Sequence, residues 1–271
     1  MGKIMIEEMK APQMGGRNRK IRICLPDGYD SNLLKRYPVL YMHDGQNMVD
    51  PSPLSGYSWN IELILKEMQK KHEIEGIIVV GIDTDEINRI PEYTQAIAKK
   101  AEKQVKKMGN GNLFLPEAHL YGRFIVDTLK PYIDQNYRTM PERENTGMFG
   151  SSCGGNVSLY LGTVYNDIFS IIGAFSPAYW LVEDDLFKRI EAKTFAPDTK
   201  IYHDMGTKEA PFAKFTFVRS AMKLQRLLLA KGFEDTRLKM VIDKDGLHTE
   251  LFWQERFPNF IRFAFPHQVR S

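Results

Sequence analysis

Cysteine is scarce in this chain of 271 residues: only Cys24 and Cys153 are present. Two cysteines cannot build a disulfide framework, and neither stands near a second Cys or a His at a spacing that suits zinc. Long apolar runs are missing as well. None approaches the roughly 18 residues needed to span a bilayer, and the start "MGKIMIEEMKAP" carries charge throughout instead of a signal peptide's apolar centre. A soluble, cytoplasmic protein is expected. Nor is there a strong excess of either charge: 37 Lys and Arg against 34 Asp and Glu leave a formal +3. That surplus gives no reason to expect nucleic acid or a membrane as a partner, because either reading needs a clustered basic face. The densest positive run, "KKAEKQVKK" from Lys99 to Lys107, reads as a solvated helix face, since Ala, Glu and Val are interspersed and no aromatics interleave. No internal repeat and no Pro/Gly/Ser-rich linker divides the chain. A single domain over residues 1–271 is expected, with an insertion-like loop at about 84–116.

What is present is an alternation. Short apolar runs at Lys20–Pro26, Pro38–Asp44, Gly76–Asp83, Thr146–Ser151, Ser170–Ser176, Thr199–Met205 and Arg237–Asp243 read as strands, several of them buried on both faces. Amphipathic segments at Trp59–Lys71, Glu117–Tyr137, Gly155–Tyr165, Phe212–Lys231 and Thr249–Phe263 read as helices that cover the sheet. Pro131 falls inside the second of these and is expected to kink or divide it. The pattern predicts an α/β fold with a mostly parallel central sheet and helices on both faces.

One stretch, "TGMFGSSCGGNVSLY" from Thr146 to Tyr160, crowds small residues between a strand and a helix. Gly150-Ser151-Ser152-Cys153-Gly154 matches G-x-S-x-G. In a nucleophile elbow the serine takes strained backbone angles, and its neighbours must be tiny for strand and helix to approach. Ser152 is therefore the candidate nucleophile. Cys153 reads as a packing residue whose side chain follows the elbow into the sheet, while its backbone N–H is a candidate oxyanion donor. The second donor is expected from "YMHDGQNMVD", as the N–H of Gln46 or of Gly45.

An elbow serine needs a base and an acid carried by later loops, in that fold's chain order of serine, acid, histidine. His248 fits the base: it lies in "DKDGLHTELFWQERFPNF", between the last strand and the last helix. His203, by contrast, falls inside a strand. For the acid, "IYHDMGTKEA" offers Asp204 at the strand's end and Glu209 in the loop beyond it. Loop position favours Glu209, because the Gly206-Thr207 turn can carry it above the sheet edge, but both stay candidates. Such a mechanism requires neither metal nor organic cofactor.

Taken together, "YPVLYMHDGQN", "RENTGMFGSSCGGNVSLYLG", "IIGAFSPAYW", "MGTKE" and "DGLHTELFWQERFPNF" resemble an esterase family of α/β-hydrolases that includes feruloyl and acetyl-xylan esterases, enterochelin-type siderophore esterases and S-formylglutathione hydrolase. The likeness runs from about Arg19 to Phe265 and keeps the order of the motifs. It implies Ser152 as nucleophile and His248 as base, and its G-T-x-acid pattern supports Glu209. It also implies a small-molecule ester as substrate: an acetyl or hydroxycinnamoyl ester of a plant-derived sugar, or a siderophore trilactone held by a positive pocket. A binding protein without catalysis is the reading from another class. Arg89, Glu92 and Tyr93 in "NRIPEYT" resemble the family's pattern, as groups that order the loop or face the cleft, and Trp180 is a candidate lining of the acyl pocket. Two departures stand out. Cys153 replaces the more usual Met or Leu, and the 96–112 stretch is unusually basic.

Overall fold

The computed structural model describes residues 3–84, 87–108, 111–209 and 214–266. Its strands are β1 (Lys3–Ala11), β2 (Arg17–Leu25), β3 (Val39–His43), β4 (Ile78–Ile82), β5 (Thr146–Ser151), β6 (Ile171–Phe175), β7 (Lys200–Gly206) and β8 (Leu238–Asp243). The helices among the described residues are α1 (Ile61–Lys70), α2 (Arg89–Glu92), α3 (Glu102–Met108), α4 (Ala118–Phe124), α5 (Lys130–Asn136), α6 (Cys153–Val164), α7 (Tyr179–Ala192), α8 (Lys214–Ala230) and α9 (Glu250–Ala264). The strands form one sheet in the order β1-β2-β4-β3-β5-β6-β7-β8, parallel from β4 through β8 and closed at one side by the antiparallel pair β1 and β2. All seven strands read from the sequence are present. β1 was not among them. The helix expected to begin at Phe212 is described only from Lys214, because residues 212 and 213 lie outside the described residues.

Alternation along each parallel strand sends side chains to opposite faces, so the sheet is buried on both. Val39 and Tyr41 of β3, with Met148 of β5, join the core under α4 to α8, whereas Leu40, Met42 and Phe149 join the core under α1 and α9. The second core is aromatic: Trp59 packs on Phe175 at 5.0 Å and on Trp253 at 5.9 Å between centroids. Pro131 does leave its mark. A π-helical turn, Ile125–Leu129, sits between α4 and α5, and that wider turn accommodates the ring and the missing N–H without breaking the rod.

Because β3 to β8 run parallel, their C-terminal ends share one rim, and the loops that leave them meet there. Ser151 pairs with Phe175 across β5 and β6, and Gly206 pairs with Asp243 across β7 and β8.

Candidate active site

β5 turns into α6 within one residue. That residue, Ser152, has φ 57° and ψ −122°, a conformation L-residues rarely adopt. Three backbone hydrogen bonds hold it: Ser152 N–H donates to Phe175 O at 2.9 Å, and Ser152 O accepts from Ala178 N–H at 3.1 Å and from Asn156 N–H at 3.2 Å. The small residues around it have a steric cause. A Cβ on Gly150 would lie 3.0 Å from the backbone of Gly154 and 3.0 Å from His43 Cβ, so a side chain there would push strand, helix and β3 apart. His43 itself is fully buried beneath the turn, its Nδ1 2.8 Å from the Tyr121 hydroxyl. Burial pushes its pKa down to about 3, and Arg89 adds to that against the opposing pull of Asp44, so this imidazole is neutral.

The loops after β7 and β8 leave side by side and bond to each other. Thr207 N–H donates to Asp243 O at 2.8 Å and Lys208 N–H to Gly246 O at 3.0 Å. A Cβ on Gly206 would come within 2.3 Å of Gly246 O, so this contact is available only to glycine. The turn carries Glu209 back over the strand end. Its Oε1 accepts from Gly206 N–H at 2.6 Å and contacts the Ser176 hydroxyl, while its Oε2 lies 2.9 Å from His248 Nδ1. The imidazole of His248 is partly exposed and stands edge-on to the Trp253 ring, 5.0 Å between centroids.

Asp204, the other acid read from the sequence, takes a different place. It is fully buried, accepting from Ser176 N–H at 2.8 Å and from the Tyr202 hydroxyl at 3.1 Å, with Arg256 Nε 3.1 Å away. Burial pushes its carboxyl up to about 7, although Arg256 and the Ser176 N–H oppose the rise. Of the two candidates, it is Glu209 that touches His248.

No hydrogen bond joins Ser152 to His248 among the described residues. They are linked through the rim: Ser152 bonds to Phe175, Ser176 follows it, and Ser176 touches Glu209, the partner of His248. Neither the Cys153 nor the Gln46 N–H has an acceptor among the described residues. The β3 loop that carries Gln46 is fixed firmly. Asp44 takes a left-handed φ of 58°, and the Gln46 side chain makes two hydrogen bonds to Thr84, at 3.0 and 3.1 Å.

Arg89 forms a bidentate pair with Asp44, 2.7 Å at each end, and lies over the Tyr93 ring. Burial raises the Asp44 carboxyl, but the Arg89 charge and hydrogen bonds and the Thr84 hydroxyl outweigh it and leave Asp44 below the usual carboxylate range. Tyr93, also buried, accepts from Asp44 N–H at 2.9 Å. Buried Glu92 pairs with Arg17 at 2.8 Å and with Arg19 of β2. All three residues of "NRIPEYT" thus order this loop from within.

Trp180, at the start of α7, lines a cavity of about 370 Å³ together with Cys153, Ile90, Val105 and Phe114. Cys153 packs in the core as expected, and it also lines this cavity. Burial pushes its thiol pKa up, against the lowering effect of Arg89, so it is a poor nucleophile at neutral pH. The basic run behaves as read: Lys99, Lys100, Lys103, Lys106 and Lys107 are exposed, while Ala101 and Val105 of the same stretch are buried. Sequence reasoning assigned no role to Ser176, Asp44, Trp253 or Arg256. The last two stand in the block around His248, and the side-chain bonds that recruit them come from residues more than 70 positions away.

A family profile, Esterase, described as "Putative esterase", matches residues 12–263. The protein YbbA of Bacillus subtilis (strain 168) is 24% identical over 254 residues, covering 92% of this chain and 93% of that protein. A ferulic acid esterase structure superposes with a TM-score of 0.71 at 15% identity, covering 98% of both chains. The enterobactin esterase FES from Shigella flexneri gives a TM-score of 0.72 at 16% identity, covering 97% of this chain and 59% of that one. At such identities the two structures establish the fold, an α/β-hydrolase.

Proposed function

We propose that this chain, which belongs to the Esterase family and is an ester hydrolase, works as a serine esterase through an acyl-enzyme. Ser152 Oγ attacks the ester carbonyl, and His248 takes the serine proton and gives it to the departing alcohol. Glu209 holds the imidazolium that forms meanwhile. Water, deprotonated by the same histidine, then releases the acid. The observation that carries this reading is the 2.9 Å contact of Glu209 Oε2 with His248 Nδ1, on the same sheet rim as a serine held at positive φ. Such a contact places the neutral imidazole's proton on Nδ1 and leaves Nε2 free to accept one from serine. The N–H groups of Cys153 and Gln46 would receive the oxyanion, and removing one such donor typically costs roughly 2.7 to 4 kcal/mol in the transition state. α6, starting at Cys153, aims its positive end at the same point. No metal or organic cofactor enters these steps.

As substrate we favour an acetyl or hydroxycinnamoyl ester of a plant-derived sugar. The apolar walls beside Ser152, with Trp180, Phe114 and Val105, support a flat aromatic acyl group. A siderophore trilactone drew its support from the basic stretch. Its exposed lysines, however, are absent from the lining of the cavity beside Cys153, which this stretch meets through Val105, and Lys100 is paired with Glu183. Hydrolysis of feruloyl esters, acetylated sugars and a catecholate trilactone by wild type and Ser152→Ala tests the reading. The expected result is turnover of the aromatic acyl ester by wild type and a loss of roughly 10⁴-fold or more in the variant. Equal rates would refute the serine mechanism, and absence of turnover on every ester would favour a binding protein.

A further inference from the structure

We infer that Ser176 is a positioning residue for the reaction: its hydroxyl locks the Glu209 carboxylate so that only Oε2 is presented to His248. The inference rests on the serine-esterase reading and adds to it a residue outside the three that carry the chemistry.

Ser176 Oγ has three polar neighbours: Trp253 Nε1 at 2.9 Å, Arg256 Nη2 at 3.0 Å, and Glu209 Oε1. The indole and guanidinium N–H groups can only donate. They occupy both lone pairs of the hydroxyl, and its single proton is therefore directed at Glu209 Oε1. That oxygen also accepts from Gly206 N–H. With two donors converging on Oε1, the carboxylate cannot rotate without losing both bonds. Oε2 is left to face Nδ1.

The setting suits such a role. Ser176 is 1% exposed and sits at φ 43°, a left-handed value that a merely structural position would more cheaply give to glycine. Trp253 donates to Ser176 and presents its ring to the His248 imidazole, so one side chain backs both the acid's support and the base. Arg256, 5% exposed, lies 3.1 Å from Asp204, 3.1 Å from Asp243 and 3.9 Å from Glu209. It thereby balances the carboxylates that face this point from β7, β8 and the loop between β7 and α8. The N-terminal half of α9 thus reaches across the ends of β6, β7 and β8 and fixes the hydroxyl from behind.

The test compares wild type, Ser176→Ala, Ser176→Gly and Ser152→Ala on one ester substrate. Glycine removes the hydroxyl and relieves the positive φ at once, so it separates the hydrogen bond from backbone strain. Expected for both Ser176 variants is a drop in kcat of roughly 10- to 100-fold with KM little changed, the scale at which supporting hydrogen bonds act. The acid limb of kcat/KM should also move to lower pH, because a loosened carboxylate stabilises the imidazolium less. The downfield proton signal of His248 Nδ1–H should weaken in parallel. If Ser176→Gly keeps the wild-type kcat and pH profile while Ser152→Ala is inactive, Ser176 is only a packing residue and the inference fails alone. An active Ser152→Ala overturns the underlying reading and this inference together.

Discussion

The two sides of the rim are built from different materials. On the β6–β8 side, polar atoms are fixed at hydrogen-bonding distance: Glu209 Oε2 to His248 at 2.9 Å, Ser176 Oγ to Trp253 at 2.9 Å, Ser176 N to Asp204 at 2.8 Å. On the side formed by residues 87–108, 111–116 and α7, apolar surfaces line a cavity, and the nearby polar groups of Arg89 and Asp44 are turned on each other. Directional bonds hold single atoms in place, whereas apolar walls exclude volume and tolerate small shifts. Changes on the first side should therefore act on kcat, and changes on the second on KM and substrate choice.

The largest test of that division sets two carboxylates on the polar side against each other. Glu209→Gln should lower kcat by about 10³-fold or more with little change in KM, since an amide holds neither the tautomer nor the imidazolium. Asp204→Asn, which touches Ser176 and Arg256 but not His248, should cost about tenfold or less. Steady-state kinetics decide it, and equal losses would erase the distinction drawn between the acids. A middle-sized effect belongs to the cavity. Cys153→Leu fills it from the elbow side and should raise KM for an aromatic acyl ester roughly 10-fold while leaving an acetyl ester near wild type. A uniform fall in kcat for both esters would show that the cavity does not receive the acyl group.

The smallest expected effect lies outside the rim and should change stability alone. His203, next to Asp204 on β7 but facing the other way, is fully buried against Gln225 at 3.0 Å. Burial lowers its pKa to about 4, although the Gln225 hydrogen bond opposes the drop. The unfolded chain takes up this proton near the ordinary value of 6.5, and the fold does not until about 4. Its contribution to stability is therefore complete above pH 6.5 and is lost as pH falls toward 4, by up to about 3 kcal/mol. His203→Gln should flatten thermal unfolding between those pH values without altering kcat at neutral pH. Calorimetry across that range checks it.

Much of this organisation was legible before any coordinates. Parallel strands buried on both faces must be apolar, so seven of them stood out, and the small residues around Ser152 marked a turn that leaves no room for Cβ atoms. β1 escaped because it is an edge: "KIMIEEMKA" leaves four of its nine residues exposed, and charge obscures the alternation. α7 escaped because Glu183 lies on its buried face, paired with Lys100 and Lys223 and accepting from the Ser220 hydroxyl, which interrupts the apolar stripe. The choice between Asp204 and Glu209 turned on loop geometry of a few ångströms. Ser176 could not be read at all, because an ordinary serine at a strand end acquires its three partners only when α9 folds back over β6.

The most direct measurement is active-site labelling with a fluorophosphonate followed by peptide mapping. Phosphonylation at Ser152 alone, abolished by Ser152→Ala and slowed by His248→Ala, is the predicted result. A label on any other residue, or continued ester hydrolysis by protein whose Ser152 is unmodified after saturating probe, would contradict it.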